Sequence, residues 1–137
     1  MVAPVKIITE GKDNKPSMNS NSVVGRLTYG NFSMLFTGDA EKDEEKTILD
    51  SGANIKSDIL KVGHHGSKTS SGQNFIKAVS PKLALISAGR GNSYGLPHDV
   101  TLKTLQKAGI QILRTDQDGT ITITTTGSGD YSVKKEK

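Results

Sequence analysis

Residues 83–89 read LALISAG, a run of strand length that is almost wholly apolar and is bracketed by amphipathic stretches. A short run of this kind belongs to a strand covered on both faces, which in practice means a sheet sheathed by helices or by a second layer. That requirement points to a layered α/β architecture. The flanking segments agree with it. Residues 41–50 crowd acids into a first turn, place Ile48 and Leu49 as an apolar contact and stop at Gly52, the pattern of a helix with favourable dipole placement. Residues 57–63 return as a strand. Ser70 or Ser71 can cap a second helix with Phe75, Ile76 and Val79 on one stripe, ended by Pro81. Asp99 can cap a third, carrying Val100, Leu102 and Leu105 and closing at Gly109, after which residues 110–115 read as a strand.

The rest of the chain is punctuated in the same way. Residues 4–10 form a short strand pattern, and 11–22 are a polar loop dense in turn formers. Residues 23–29 and 32–37 read as two strands joined at Gly30-Asn31, a pair suited to a tight hairpin. TITITTT, at 120–126, alternates strictly and predicts a strand with one wet face. Residues 127–137, ending in VKKEK, read as a flexible solvated tail. The 137 residues suit one domain over 1–137, and with 33% hydrophobic residues, 4% aromatics and no Trp the core must be aliphatic and thin.

Composition also excludes some chemistry. With no Cys there are no disulfides and no thiolate metal sites, which leaves His, Asp and Glu as the strong ligands. No apolar run approaches the ~18 residues of a membrane span, so a soluble domain without membrane contact by this segment is expected, while the compartment stays open. The formal charge of +4 and a pI near 9.3 suit a polyanionic partner without forming a dedicated basic stripe in the sequence.

In sheets of this type ligands gather beyond the carboxyl ends of the strands, and here three strands run into TGD, GHHGS and AGRGNSYGLPH. Two of the three histidines, His64 and His65, stand side by side between Gly63 and Gly66. Asp39 taken alone reads as a turn residue or helix cap, and the histidine pair as a solvated loop that its glycines make permissive. Together, at the ends of neighbouring strands, a carboxylate and an imidazole form a ligand set suited to Zn²⁺ or Mn²⁺. On that reading the Cα atoms of Asp39 and His65 lie within ~12 Å of one another, given metal bonds of roughly 2 Å. His98 reads as a solvated residue ahead of the Asp99 cap.

The stretches NSVVGRLTYGNFSMLFTGDAEKDEEKTIL, SDILKVGHHGSKTSS and ALISAGRGNSYGLPH, followed by LRTDQDG, closely resemble the carboxyl-terminal half of the metallo-β-lactamase-like domain of ComEC-type DNA-uptake competence proteins, over roughly residues 19–121. The resemblance implies half of an αββα sandwich, a mixed sheet with flanking helices, with metal at the edge between two sheets. It implies Asp39 as the carboxylate that bridges two metals and His65 as a terminal ligand. It implies His64 as a proton donor or phosphate contact, and Ser67, Tyr94 and His98 as substrate-binding residues. The implied chemistry is Zn- or Mn-dependent hydrolysis of phosphodiesters, with DNA as substrate.

Three departures qualify it. No His-x-His-x-Asp-His string occurs in these residues; Leu96 stands in YGLPH where the family reads His; and Asn21 falls near where many members carry a further ligand His, an amide that binds metal weakly. The isolated chain is therefore expected to bind metal weakly or not at all. It is either part of a hydrolase that becomes active when joined to a preceding half-domain, or a non-enzymatic scaffold or interaction module. A β-lactam or sulfonyl hydrolase is a more distant reading, since fold alone does not select the reaction. One sheet face is expected to be apolar and uncovered, with Val23, Leu27, Leu35, Leu60 and Leu85 as candidate lining. The expected partner for that face is the missing half-domain or a second copy in a homodimer.

Overall fold

The structure, a computed structural model, describes residues 18–137. The strand expected over 4–10 and most of the polar loop lie outside the described residues.

Strands β1 (Gly25–Tyr29) and β2 (Phe32–Phe36) form the expected hairpin, with Tyr29 opposite Phe32 and Gly30 at a φ of 54° in the turn. Helix α1 (Lys42–Asp50), strand β3 (Ile59–Lys61), helix α2 (Gln73–Val79), strand β4 (Leu83–Ile86), helix α3 (Asp99–Lys107) and strand β5 (Gln111–Arg114) then alternate. The five strands make one sheet in the order β1-β2-β3-β4-β5, with β1 antiparallel and the other four parallel. The expected α/β architecture with a mixed sheet and flanking helices is present. No helix among the described residues is long and apolar enough to cross a membrane.

The pleat sorts the side chains. Leu35, Leu60, Ala84 and Ile86 belong to one buried cluster with Ile48 of α1, Phe75, Ile76 and Val79 of α2, and Leu105 of α3. Full burial of each large aliphatic side chain is worth about 1.5–3 kcal/mol. Helix α1 has Ile48 as its sole buried apolar residue, and its other buried positions are Glu44 and Glu45. Capping differs from expectation at two helices. Gly72 precedes α2, because the Ser70 hydroxyl donates to the Ala40 carbonyl at 2.6 Å and the Ser71 amide donates to Glu45. His98, with Asp99 already helical, precedes α3.

The opposite face carries Phe32, Ile59, Leu83 and Leu113, with Met34 and Leu85 partly buried, and it is here that the chain's carboxyl-terminal region corrects the sequence reading. Strand β6 (Ile121–Thr125) pairs antiparallel with β7 (Tyr131–Lys135), and Ile121, Ile123 and Tyr131 pack on this face. The Phe32 and Tyr131 rings meet edge to face with centroids 5.8 Å apart. Residues 131–135 are thus a strand and not a tail. YSVKK hides this because its one apolar anchor is Tyr131; the rest of its attachment is polar and long-range. Lys135 Nζ lies 2.7 Å from Asp118, and Glu136 accepts the Thr120 amide at 2.9 Å. A short helix α4 (Thr115–Asp118), also absent from the sequence reading, forms as Asp118 accepts the Arg114 amide at 2.8 Å and Arg114 engages Asp116 through two nitrogens.

The lining expected for the open face is corrected as well. Leu35 and Leu60 point into the helix layer, a one-residue shift in parity. Val23 is 64% exposed but precedes β1. Leu85 does lie on the second face, and Leu27, Tyr29 and Phe36 remain 52%, 57% and 43% exposed beside the β6–β7 cover. The face is therefore covered in part and open in part.

Two stability predictions follow from this packing. Burial pushes the Glu44 and Glu45 carboxyls up to about 7, against the weaker opposing pull of backbone amides, Ser22 on Glu44 and Gly72 and Ser71 on Glu45. Between the ordinary value of 4.5 and about 7 the folded chain then holds protons that the unfolded chain has lost, so this stabilisation is full below that window and disappears as pH rises through it. Asp116 and Asp118, whose carboxyls partners hold below the ordinary range, titrate under the window. Urea midpoints should fall from about pH 5 to about pH 8, and Glu44→Gln should flatten the decline; a rising midpoint would contradict the described burial. The second prediction concerns glycine. A Cβ at Gly66, φ 81°, would sit 2.5 Å from the Pro97 Cβ, whereas at Gly52, φ 69°, nothing lies within 4 Å. Gly52→Ala should cost about 1–2 kcal/mol from backbone conformation alone, and Gly66→Ala measurably more in the same urea titration. Equal losses would mean that Pro97 does not hold its place.

Candidate metal centre

Strands β2 and β3 are parallel, with Phe36 beside Lys61 at their carboxyl ends. Past the sheet, two further bonds keep the strands together. The Thr37 hydroxyl donates to the Lys61 carbonyl at 2.7 Å, and the His64 amide donates to the Gly38 carbonyl at 3.0 Å. Gly63 permits the approach, since a Cβ there would already lie 3.2 Å from the Ala40 carbonyl oxygen and the Thr37 hydroxyl. The chain then makes a short 3₁₀ turn, Gly63–Gly66, with both histidines left-handed: His64 at φ 48°, ψ 45° and His65 at φ 55°, ψ 24°. Residues other than glycine hold this conformation at a cost of order 1–2 kcal/mol each. Surrounding contacts fix it. Gly66 nests against Pro97 and Ile86, its carbonyl accepts the His98 amide at 3.0 Å, and the Lys68 amide donates to His98 Nδ1 at 3.0 Å.

This turn brings the predicted ligands together. His65 Nε2 lies 3.7 Å from Asp39 Oδ1. Its other nitrogen, Nδ1, is 2.7 Å from the Ser87 carbonyl, an obligate acceptor, so Nδ1 carries a proton and Nε2, on the Asp39 side, is the nitrogen placed to ligate a metal. A separation of 3.7 Å is too long for a hydrogen bond and somewhat wider than the ~3.3 Å that two donors each about 2 Å from a tetrahedral ion leave between them, so a small side-chain adjustment would let both reach one ion. Asp39 is held from behind. Its amide donates to the Ser22 hydroxyl at 3.2 Å, and the Ser22 amide in turn donates to Glu44 Oε2 at 3.1 Å. Asn21 thus stands one residue from a direct support of Asp39.

The remaining predicted residues lie on or beside the histidine turn and on the late loop. His64 Nδ1 is 3.3 Å from the Thr69 hydroxyl and 3.5 Å from Glu41 Oε1, and no described residue bonds Nε2. A carboxylate beside Nδ1 makes Nε2 the nitrogen able to take up or release a proton. Ser67 is buried, its hydroxyl shared with Thr69 and accepting the Thr69 amide, so it supports the His64 turn from inside. Tyr94 is 78% exposed on the late loop, which Asn92 folds by bonding both the amide and the carbonyl of Leu96. His98 accepts at Nδ1, which leaves Nε2–H as a donor. Lys61 ends the central strand on the partly open face; burial lowers its ammonium below the ordinary range, and Asp39 offsets part of that loss.

The donor chemistry suits zinc or manganese, but the number of donors does not complete a site. Among the described residues no group of three or more His, Cys, Asp or Glu gathers to hold a metal, whereas catalytic zinc takes about three protein ligands and a water. Sequence reasoning missed Glu41, Ser22 and the Ser87 carbonyl. Glu41 was legible only as an acid in a first turn, and a main-chain carbonyl has no sequence signature.

Comparison with known proteins identifies the family. Residues 15–90 match the Metallo-beta-lactamase superfamily. The chain is 50% identical over 105 residues to the ComE operon protein 3 of Bacillus subtilis, covering 77% of this chain and 14% of that protein. It is 38% identical over 120 residues to the competence protein ComA of Neisseria gonorrhoeae, covering 87% of this chain and 17% of that protein. Over 89 residues it is 40% identical to the recombination protein 2 of Haemophilus influenzae, 65% of this chain and 11% of that protein. The chain therefore spans less than a fifth of the length of these relatives. With the fold, the Asp39–His65 approach and these matches in agreement, the chain belongs to the metallo-β-lactamase superfamily, as a domain of the ComEC type.

Proposed function

We propose that this chain is part of a metal-dependent hydrolase domain that cleaves phosphodiesters in DNA during uptake, with Asp39 and His65 forming part of its metal site. The observation that carries the reading is the 3.7 Å approach of Asp39 to a His65 ring whose tautomer the Ser87 carbonyl sets. One relative named as a competence protein supports the substrate class. A bound Zn²⁺ or Mn²⁺ would supply Lewis acidity towards a phosphoryl group. The chain's own residues do the rest. Glu41 holds His64 so that Nε2 can donate a proton to a leaving oxygen or contact the phosphate. His98 offers Nε2–H and Tyr94 its hydroxyl to the substrate, while Ser67 acts through Thr69 on His64. The missing ligands come from a preceding half-domain or from a second copy of the chain, either of which would cover Leu27, Tyr29 and Phe36.

A second reading, a non-enzymatic interaction module, is favoured by the same exposed residues and by the two-donor site. Cleavage of single-stranded DNA with added Mn²⁺ separates the two. The isolated chain should bind Mn²⁺ weakly in calorimetry and cleave negligibly. The full-length protein should cleave, and Asp39→Ala in it should lower the rate more than about 100-fold, beyond the loss typical of an outer-shell partner. A full-length protein that binds metal and leaves DNA intact would establish the module instead. Sedimentation equilibrium at micromolar concentration identifies the source of the missing ligands: a dimer supports the second copy, and a strict monomer removes it.

A further inference from the structure

Charge differs between the two ends of the strands. Where β2 ends and α1 begins, beside the histidine doublet, Asp39, Glu41 and Asp43 mix with Lys42, Lys61 and Lys68. At the other end, where the parallel strands start, two adjoining grooves of about 450 and 270 Å³ share Ser80 as a common wall. Arg26, Lys56, Lys77, Lys82 and Lys107 line them. Among the described residues the single carboxylate in that lining, Asp58, is already engaged, since its Oδ2 accepts the Ser33 amide at 2.8 Å and the Ser33 hydroxyl at 2.9 Å. All four lysines are exposed, and none forms an ion pair among the described residues.

The helix dipole accounts for part of this. Lys77 and Lys107 lie in the last turns of α2 and α3, where a cation is favoured without any ligand. It does not account for Lys56 and Lys82, in the turns that lead into β3 and β4, or for Arg26 on β1, whose Nε donates to the Lys56 carbonyl at 2.8 Å. Three cations beside the engaged Asp58 in one groove and two more in the adjoining one leave this end of the sheet with an excess of positive charge that an anion would offset.

We propose that this end of the sheet is a docking surface for the sugar-phosphate backbone of a polynucleotide, remote from Asp39 and His65. The grooves are concave, and none of the exposed large hydrophobic residues lines them, so a flat lipid surface finds no apolar anchor there. Ser80 offers a hydroxyl of the kind that contacts phosphate and sugar. No aromatic side chain lines either groove, so bases are not stacked and binding is independent of sequence. The choice of nucleic acid among polyanions rests on the proposed function. The surface adds to that reading a place that retains a strand without presenting it to the histidine doublet.

Fluorescence anisotropy with the full chain, labelled single-stranded and duplex DNA and a salt series tests this. For three to five contacted phosphates the log–log salt slope on single strands should be about −2 to −3.5. Lys56→Glu, Lys77→Glu and Lys82→Glu combined should weaken binding about tenfold or more at low salt. The combination Lys46→Glu, Lys134→Glu and Lys137→Glu, equal in net charge and placed elsewhere, should weaken it far less. Urea midpoints confirm that both variants fold. Equal weakening by the two combinations, or loss in Asp39→Asn but not in the groove variant, would overturn the proposal. So would binding to vesicles containing phosphatidylglycerol without binding to DNA. None of these results bears on phosphodiester cleavage, which the Mn²⁺ assay judges separately.

Discussion

The amide of His64 donating to the carbonyl of Gly38 joins two loops that nothing in the sheet obliges to stay together. Parallel strands end their ladder where their residues run out, and β2 and β3 run out at Phe36 and Lys61. This bond extends the pairing past the sheet. It depends on the absent side chain at Gly63 and on a left-handed Gly38, φ 52°, and it places Asp39 beside the doublet. A second line of fastening runs through α1, where both oxygens of Glu45 accept amides of Ser71 and Gly72 and the Ala40 carbonyl accepts the Ser70 hydroxyl. The carboxylate segment and the histidine segment are therefore secured to one another, and not only to the sheet beneath them.

Much of the architecture could be read from the residues because local pattern and tertiary role coincide. LALISAG is almost wholly apolar, and its Leu83–Ile86 portion is a strand covered on both faces; Phe75, Ile76 and Val79 form one stripe and are all buried. The hairpin at Gly30-Asn31 and the convergence of Asp39 and His65 were legible for the same reason, since turn chemistry and strand direction are local properties. What escaped was non-local. Strand β7 has one ring to bury and holds its place through Lys135 and Glu136, and α4 exists because Arg114 and Asp118 find each other. The facing of Leu35 and Leu60 turns on a single step of register that a run such as FSMLF, apolar on both faces, does not reveal.

Helix α1 combines two requirements that compete. Its first turn carries acids that suit a helix amino terminus and support the site loops, yet Glu44 and Glu45 are buried where an ionised carboxylate is costly. Glu44 bonds the Ser22 amide through one oxygen while the other, Oε1, has no partner among the described residues in its buried place. Lys61 carries the opposite charge on the far side of the sheet, between Phe36 and Leu85 in register. Both sets of charges lie close to the Asp39 loop and are only partly compensated by the residues around them. The aliphatic core supplies the stability that tolerates them.

The left-handed backbone of His64 and His65 also bears on how this position can change over evolutionary time. Asparagine, aspartate and glycine adopt that conformation readily, and histidine does so more often than most residues, whereas β-branched residues are strongly disfavoured there. A lineage that lost the chemistry would still inherit the turn, because the Gly66 contact with Pro97 and the His64 amide bond to Gly38 serve the fold. Drift at these two positions is thereby channelled towards asparagine, aspartate and glycine, all but the last of which keep a polar side chain at the sheet edge. An inactive descendant would go on looking, in sequence, partway like an active one.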